Sequence, residues 1–186
     1  IFAVGAVYQL SQLPEHERSH VVKVYEWINA GPATTTSGQA TRFVIDWSFL
    51  LDPLSSVMVL VVTGIGFLIH VYSTGYMGHE KAYGRYFAYL NLFTFSMLML
   101  VLGDNFLLLY VFWEAVGLCS YLLIGFWYER KSAADAGKKA FIVNRVGDFG
   151  FGLGIMLIWT TFGTLSYAEV FARADRSEER RVGKEC

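Results

Sequence analysis

The sequence predicts an all-α fold, a polytopic transmembrane helix bundle, and three observations predict it. The apolar residues are gathered into long runs instead of being spread through the chain. The longest runs reach or approach the roughly 20 residues that a helix needs to cross a hydrocarbon core. Charged residues make up only 17% of the 186 residues, below the roughly 25% of soluble domains. A net charge of −1 gives no electrostatic footprint for nucleic acid. The expectation is about four complete spanning helices plus the end of another, because helices satisfy their own backbone inside lipid. A small surface β-hairpin is expected in the loop 11–50.

Residues 1–10 (IFAVGAVYQL) open in mid-apolar sequence and read as the end of a transmembrane helix whose beginning is missing. Residues 11–50 form a polar, extracytoplasmic loop too long for a simple turn. Within it Phe43, Ile45, Trp47 and Phe49 alternate with Val44, Asp46 and Ser48 at a strand period. Turn formers crowd Thr34–Thr41 just before. Asp52-Pro53 then marks a helix start, since proline is tolerated in a first turn.

The helices of the bundle fill 51–172. Three runs are Leu54–Tyr72, Tyr86–Leu102 and Phe106–Tyr128; the fourth is Phe149–Trp159, extended on both sides. The fourth helix is expected to start early, at Ser132-Ala-Ala-Asp135, which has capping-box spacing. Arg145 and Asp148 follow at i and i+3, where they can pair. Gly147, Gly150, Gly152 and Gly154 favour close helix approach, Gly150 and Gly154 as a small-xxx-small pair.

Cations sit on alternate loops: Lys81 and Arg85, then Arg130, Lys131, Lys138 and Lys139, with none at Gly103–Asn105. By the positive-inside rule the loops near 80 and 134 face the cytoplasm or matrix, and the turn 103–105 faces the other side with 11–50. Trp47, Tyr72, Tyr76, Tyr86, Trp127, Tyr128 and Tyr167 fit an aromatic belt, whereas Trp113 and Trp159 lie deeper. The final stretch, 173–186, is a tail. Its residues 176–186 (RSEERRVGKEC) resemble the translation of a common sequencing adapter, and the expectation is a non-native scar, disordered or unsupported by packing, with a solvated charged tail as the alternative.

No metal-ligand cluster, phosphate loop or nucleophile elbow is present. The histidines at 16, 20, 70 and 79 lack ligand spacing; His70 reads as interfacial, and His79 has no assigned role. Cys119 reads as a small packing residue, and Cys186 is the last residue. The chemistry therefore rests on Glu114, the only charge in FLLLYVFWEAVGLCSYLLIGFWY. It lies eight residues into that run, about 12 Å of helical rise. An ionised carboxylate at that depth costs about 2.5–3.5 kcal/mol on insertion scales and is normally a relay or binding group. Tyr110, Gly117, Tyr121 and Gly125 fall within about 60° of it on the helical wheel. Glu114 therefore points to another helix or a wet cavity. A carboxylate in low dielectric beside a movable Lys or Arg takes up or gives away a proton according to its neighbour. Lys138, Lys139, Arg145 and Asp148 are the candidates for that neighbourhood. Positive-inside anchoring for the two lysines and a structural ion pair for Arg145–Asp148 are the competing readings.

The phrases LLLYVFWEAVGLCSYLLIGFWYER and KKAFIVNRVGDFGFGLGIML resemble the antiporter-like subunits of NADH–quinone oxidoreductase, respiratory complex I. This is the family of bacterial subunit L and of the fifth mitochondrial NADH dehydrogenase chain. LLDPLSSVMVLVVTGIGFLIHVYSTGYM and GRYFAYLNLFTFSMLMLVLGDN are similar as well, so the likeness covers 43–172. The resemblance implies a membrane-arm subunit that couples proton translocation to electron transfer from NADH to quinone. It implies partners among the other membrane-arm subunits, the lipid bilayer and protons. It implies no cofactor in this chain; NADH, flavin, iron–sulfur clusters and quinone belong to other subunits. Glu114 becomes the proton-pathway residue, with Asp148, Arg145 and Lys139 as further site residues, and its lysine partner lies beyond 172. The implied location is the bacterial inner membrane, or alternatively the mitochondrial inner membrane. An N-terminal fragment is expected. The related Mrp-type Na⁺/H⁺ antiporter subunits share the Glu-bearing helix and give the alternative reading.

Overall fold

Where the sequence turns apolar the backbone is helical. The computed structural model describes residues 2–14, 17–36, 38 and 40–182, with side chains to residue 174. In chain order the elements are α1 (Phe2–Ser11), β1 (His20–Thr34), β2 (Ala40–Leu51), α2 (Pro53–Tyr76), α3 (Tyr83–Leu102), α4 (Phe106–Ile124), α5 (Lys131–Phe162) and α6 (Tyr167–Val182). Four of these, α2 to α5, are long and apolar enough to cross a membrane. Their apolar side chains point outward in large number: Phe67 is 66% exposed, Phe149 70% and Val146 76%. Such a surface suits lipid, not water.

Local chemistry sets several boundaries, the expected Asp52-Pro53 start among them. Asp52 caps α2 by accepting from the Ser55 N–H at 2.7 Å, and the Ser55 hydroxyl accepts from the Asp52 N–H at 2.8 Å. Pro53 fills the first turn. Asn105 caps α4, its Oδ1 accepting from the Leu108 N–H at 2.9 Å. Gly163 ends α5 at φ 70°, a left-handed C-cap. A Cβ there would come within 2.9 Å of Thr35 Cγ2, so space and conformation both demand glycine.

The Ser132–Asp135 capping box does not form. α5 starts at Lys131 behind Arg130, which has no side-chain cap, and Ser132 and Asp135 are exposed. The Arg130 carbonyl already accepts from the N–H groups of Ala133 and Ala134, so the helix is nucleated before Ser132 can cap it. The backbone is helical through Val182 as α6, so the expected disorder does not hold for the backbone of 176–182, whose side chains lie outside the described ones. An i,i+4 pair, Glu169–Arg173 at 3.8 Å, supports its first turns. Cys186 and residues 183–185 lie outside the described residues, as does His16.

The hairpin is larger than the sequence suggested. β1 and β2 pair antiparallel from His20↔Leu51 to Thr34↔Ala40. β1 has 15 residues against 12 in β2, and the register slips past Val24, Trp27 and Ala30. These bulges add twist and bend the ribbon. They also break the simple inside-outside alternation of β2, so Ile45 and Ser48, three apart, are both buried.

The ribbon caps one end of the bundle. Ile45 packs with Ile155 and Leu165, and Trp47 meets Phe112 edge-on at 5.7 Å. Thr36 donates from N–H and hydroxyl to the Thr160 carbonyl, and Thr41 donates to the Gly163 carbonyl at 2.9 Å. Asn105 Nδ2 donates to the Asp46 carbonyl at 3.0 Å. The turn 103–105 and the hairpin thus share one end, and the loops after α2 and α4 meet at the other, where Arg85 donates to the Phe126 carbonyl. Trp159 is one turn from the end of α5 and meets Phe43 edge-on, so it belongs to the capped end and is not deep in the bundle.

Candidate functional site: a charged cluster between two spanning helices

The face of α4 read from the helical wheel is the face that meets α5. A Cβ on Gly137 would lie 3.3 Å from the Gly125 nitrogen and 3.4 Å from the Tyr121 carbonyl oxygen. A Cβ on Gly152 would lie 3.2 Å from the Tyr110 hydroxyl, and one on Gly117 3.4 Å from Arg145 Nη2. Glycine at these contacts lets the two backbones approach. Gly147, Gly150 and Gly154 have open space instead, so the expected Gly150–Gly154 pair is not a packing notch among the described residues. Two positions at 100° per residue separate Gly152 from Gly150 and Gly154, which turns them away from α4.

That close approach brings Glu114 and Arg145 together, 31 positions apart. Arg145 Nη1 pairs with Glu114 Oε2, and Nη2 donates to the Glu114 carbonyl at 3.3 Å. The same Nη1 lies 3.9 Å from Asp148 Oδ2 on its own helix. Asp148 is buried, and its Oδ1 accepts from the Trp113 indole N–H at 3.0 Å. The guanidinium also stacks over Phe141, 4.4 Å from the ring centre. Arg145 Nε is buried without a hydrogen-bond partner.

The arithmetic of this group matters. Two carboxylates face one guanidinium, which leaves one excess negative charge when all are ionised. In low dielectric that excess is costly. A cavity of about 560 Å³ lies alongside, lined by Trp113, Gly117, Val143, Asn144, Gly147, Asp148 and Phe151. Asn144 and Asp148 give it a polar edge. No group of His, Cys, Asp and Glu among the described residues could hold a metal ion.

Of the four residues named from sequence, the structure gathers Glu114, Arg145 and Asp148. Lys139 stands apart: it is exposed, six positions before Arg145, and forms no ion pair among the described residues. Lys138 is exposed too. Trp113 was missed as a partner, although a deep indole N–H needs an acceptor and could have pointed to Asp148. Cys119 is fully buried against Ser96, 3.9 Å from its Oγ, as a packing residue should be. His70 is half-buried between α2 and α3, its Nδ1 2.7 Å from the Gly66 carbonyl oxygen.

Two family models match the chain. Residues 39–87 match the N-terminus of chain 5 of NADH-ubiquinone oxidoreductase (complex I), and residues 103–182 match the transmembrane domain of NADH:quinone oxidoreductase and Mrp antiporters. This chain belongs to that antiporter-like family. A Mycobacterium tuberculosis relative, NADH-quinone oxidoreductase subunit L, is 50% identical over 92% of the chain. A Paulinella chromatophora relative, NAD(P)H-quinone oxidoreductase subunit 5, is 52% identical over 74%. The chain spans 26% and 19% of those two relatives. Among solved structures, the Mrp complex from a Dietzia species matches with a TM-score of 0.72 at 27% identity, over 91% of this chain and 17% of that one. The family and the four apolar helices make this a multi-pass membrane protein.

Proposed function

We propose that this chain is part of a membrane-arm subunit of a proton-translocating NADH:quinone oxidoreductase. The observation that carries the reading is the Glu114–Arg145–Asp148 cluster between two spanning helices, two carboxylates against one guanidinium with a cavity beside them. In this reading Glu114 carries the proton. Arg145 holds Glu114 within this chain, Asp148 shares the positive charge, and Trp113 fixes Asp148. Lys139 serves at the mouth of the pathway. The chain binds no cofactor; NADH oxidation, flavin, iron–sulfur clusters and quinone reduction belong to other subunits. It sits in a bacterial inner membrane beside other membrane-arm subunits. The 50% identity to a subunit L favours this over the Mrp antiporter reading, which rests on the shared family model over 103–182 and a structural match at 27% identity.

The test is Glu114→Gln in the full-length protein assembled in its complex. Proton uptake by membrane vesicles, driven by NADH, should be almost abolished, and NADH oxidation coupled to it should fall as well. Assembly should survive, because removing an intramembrane charge is not costly in itself. Glu114→Asp should keep part of the uptake. Normal uptake in Glu114→Gln would leave the carboxylate a structural role only.

A further inference from the structure

At the end of the bundle away from the hairpin, the loops after α2 and α4 form a second charged site. Arg85, in the first turn of α3, is wedged between two rings, its Cζ 4.9 Å from the Phe126 centroid and 5.0 Å from that of Tyr128. Its Nη2 donates to the Phe126 carbonyl at 3.2 Å, while its buried Nε has no partner. Arg130 stacks over Trp127 at 5.5 Å. With Lys81 these residues line a cavity of about 560 Å³, whose wall also carries His79, Glu80 and Glu129. Among the described residues none of the three cations has a carboxylate within ion-pair distance.

We propose that this cavity binds the phosphate of an anionic membrane lipid. Stacked rings hold the two guanidinium groups in place, Arg85 by Nη2 as well, and leave Arg85 Nη1 and the Arg130 guanidinium to donate to a phosphate; such charge-assisted bonds are the strong ones. Three cations against two carboxylates leave one net positive charge. That matches the single negative charge of a phosphodiester better than the higher charge of free phosphate. The shape favours a lipid as well. A groove of about 210 Å³ shares Arg85, Phe126 and Tyr128 with the cavity and runs on between α3 and α4, past Tyr89, Tyr121 and Leu122. It leads from a polar pocket toward the apolar flank of the helices, as a headgroup with acyl chains requires. Basic pockets between spanning helices are suited to such headgroups.

The experiment places the full-length protein, in its complex, in phosphatidylcholine vesicles that carry photoactivatable phosphatidylglycerol. Mass spectrometry then maps the labelled peptides. The expected result is labelling of 79–86 and 125–131 several-fold above that from a photoactivatable phosphatidylcholine. Arg85→Gln combined with Arg130→Gln should lower it to the phosphatidylcholine level. Lys81→Gln, at an exposed position that does not endanger folding, should lower it about twofold and keeps the test valid if the double variant fails to assemble. Added inorganic phosphate should not compete. Equal labelling by both lipids, no labelling of these segments, labelling indifferent to the variants, or displacement by inorganic phosphate would each overturn the proposal.

Discussion

Two ion pairs in this molecule have similar chemistry and opposite settings. Lys23 and Asp46 meet across the hairpin at 2.7 Å, with side chains 54% and 34% exposed. Arg145 and Glu114 meet between α4 and α5, 32% and 21% exposed, beside a buried Asp148 and at the depth of the spanning segments. Water solvates the first pair whether or not it forms, so the pair adds little. The hydrocarbon gives the second pair no such alternative. Losing Arg145 leaves Glu114 and Asp148 in a medium that penalises them, whereas losing Glu114 leaves Arg145 facing Asp148. The difference is in the surroundings. The same carboxylate–cation contact is decoration on a wet ribbon and a constraint between two spanning helices.

The comparison breaks most sharply at Arg145. Arg145→Gln strands Glu114 and Asp148 together, and should destabilise the protein by on the order of 3 kcal/mol. Thermal unfolding in detergent should show it, and NADH-driven proton uptake should fall too. An unchanged midpoint would mean that the cavity already hydrates both carboxylates.

A smaller change should follow at Trp113. Trp113→Phe keeps a ring against Phe151 but removes the donor to Asp148. A hydrogen bond to a charged group is worth about 1.5–3 kcal/mol, so the loss should be near the lower end in the same assay. A full-sized loss of proton uptake with little loss of stability would instead assign Trp113 to the pathway itself.

The smallest effect belongs to Lys23→Gln, which should leave stability and uptake unchanged within error at neutral pH. The Asp46 carboxylate, through its hydrogen bond and charge, raises the Lys23 pKa above its ordinary 10.5, with Glu26 adding to the rise and desolvation opposing it. A cation with a raised pKa contributes its small stability fully below pH 10.5 and loses it as pH climbs through the higher folded value. Any difference between wild type and variant should therefore vanish in strong alkali, and high salt should erase it at neutral pH. A large effect at neutral pH would show that the hairpin end is far drier than its exposure implies.

Much of this was legible in the sequence because it is local. The Asp52-Pro53 start and the four apolar runs are decided within one or two turns of chain. The face of Tyr110, Gly117, Tyr121 and Gly125 follows from helical period alone, and the structure seats α5 on it. Where the reading failed, a competing interaction lay nearby or far away. The Ser132 cap lost to an earlier helical nucleus at Arg130. β1 was passed over although VVKVYEW is rich in β-branched and aromatic residues, because its bulges spoil the period of two. α6 was hidden by a charged composition that still supports a helix through i,i+4 pairing.

The sequence by itself determined a bundle of spanning helices, the depth of Glu114, and the side of α4 from which it projects. Periodicity and apolar length express the cost of exposing backbone and charge to lipid, and both are written in consecutive residues. Only the tertiary structure decided which cation meets Glu114. Arg145, Asp148 and Lys139 share one helix, and all were candidates. The contacts of Gly137 on Gly125 and Gly152 on Tyr110 fix the height and rotation of α5 against α4. That register puts Arg145 opposite Glu114, turns Asp148 toward Trp113, and leaves Lys139 at the exposed end. Register between helices depends on side chains far apart in the chain, and no local pattern records it.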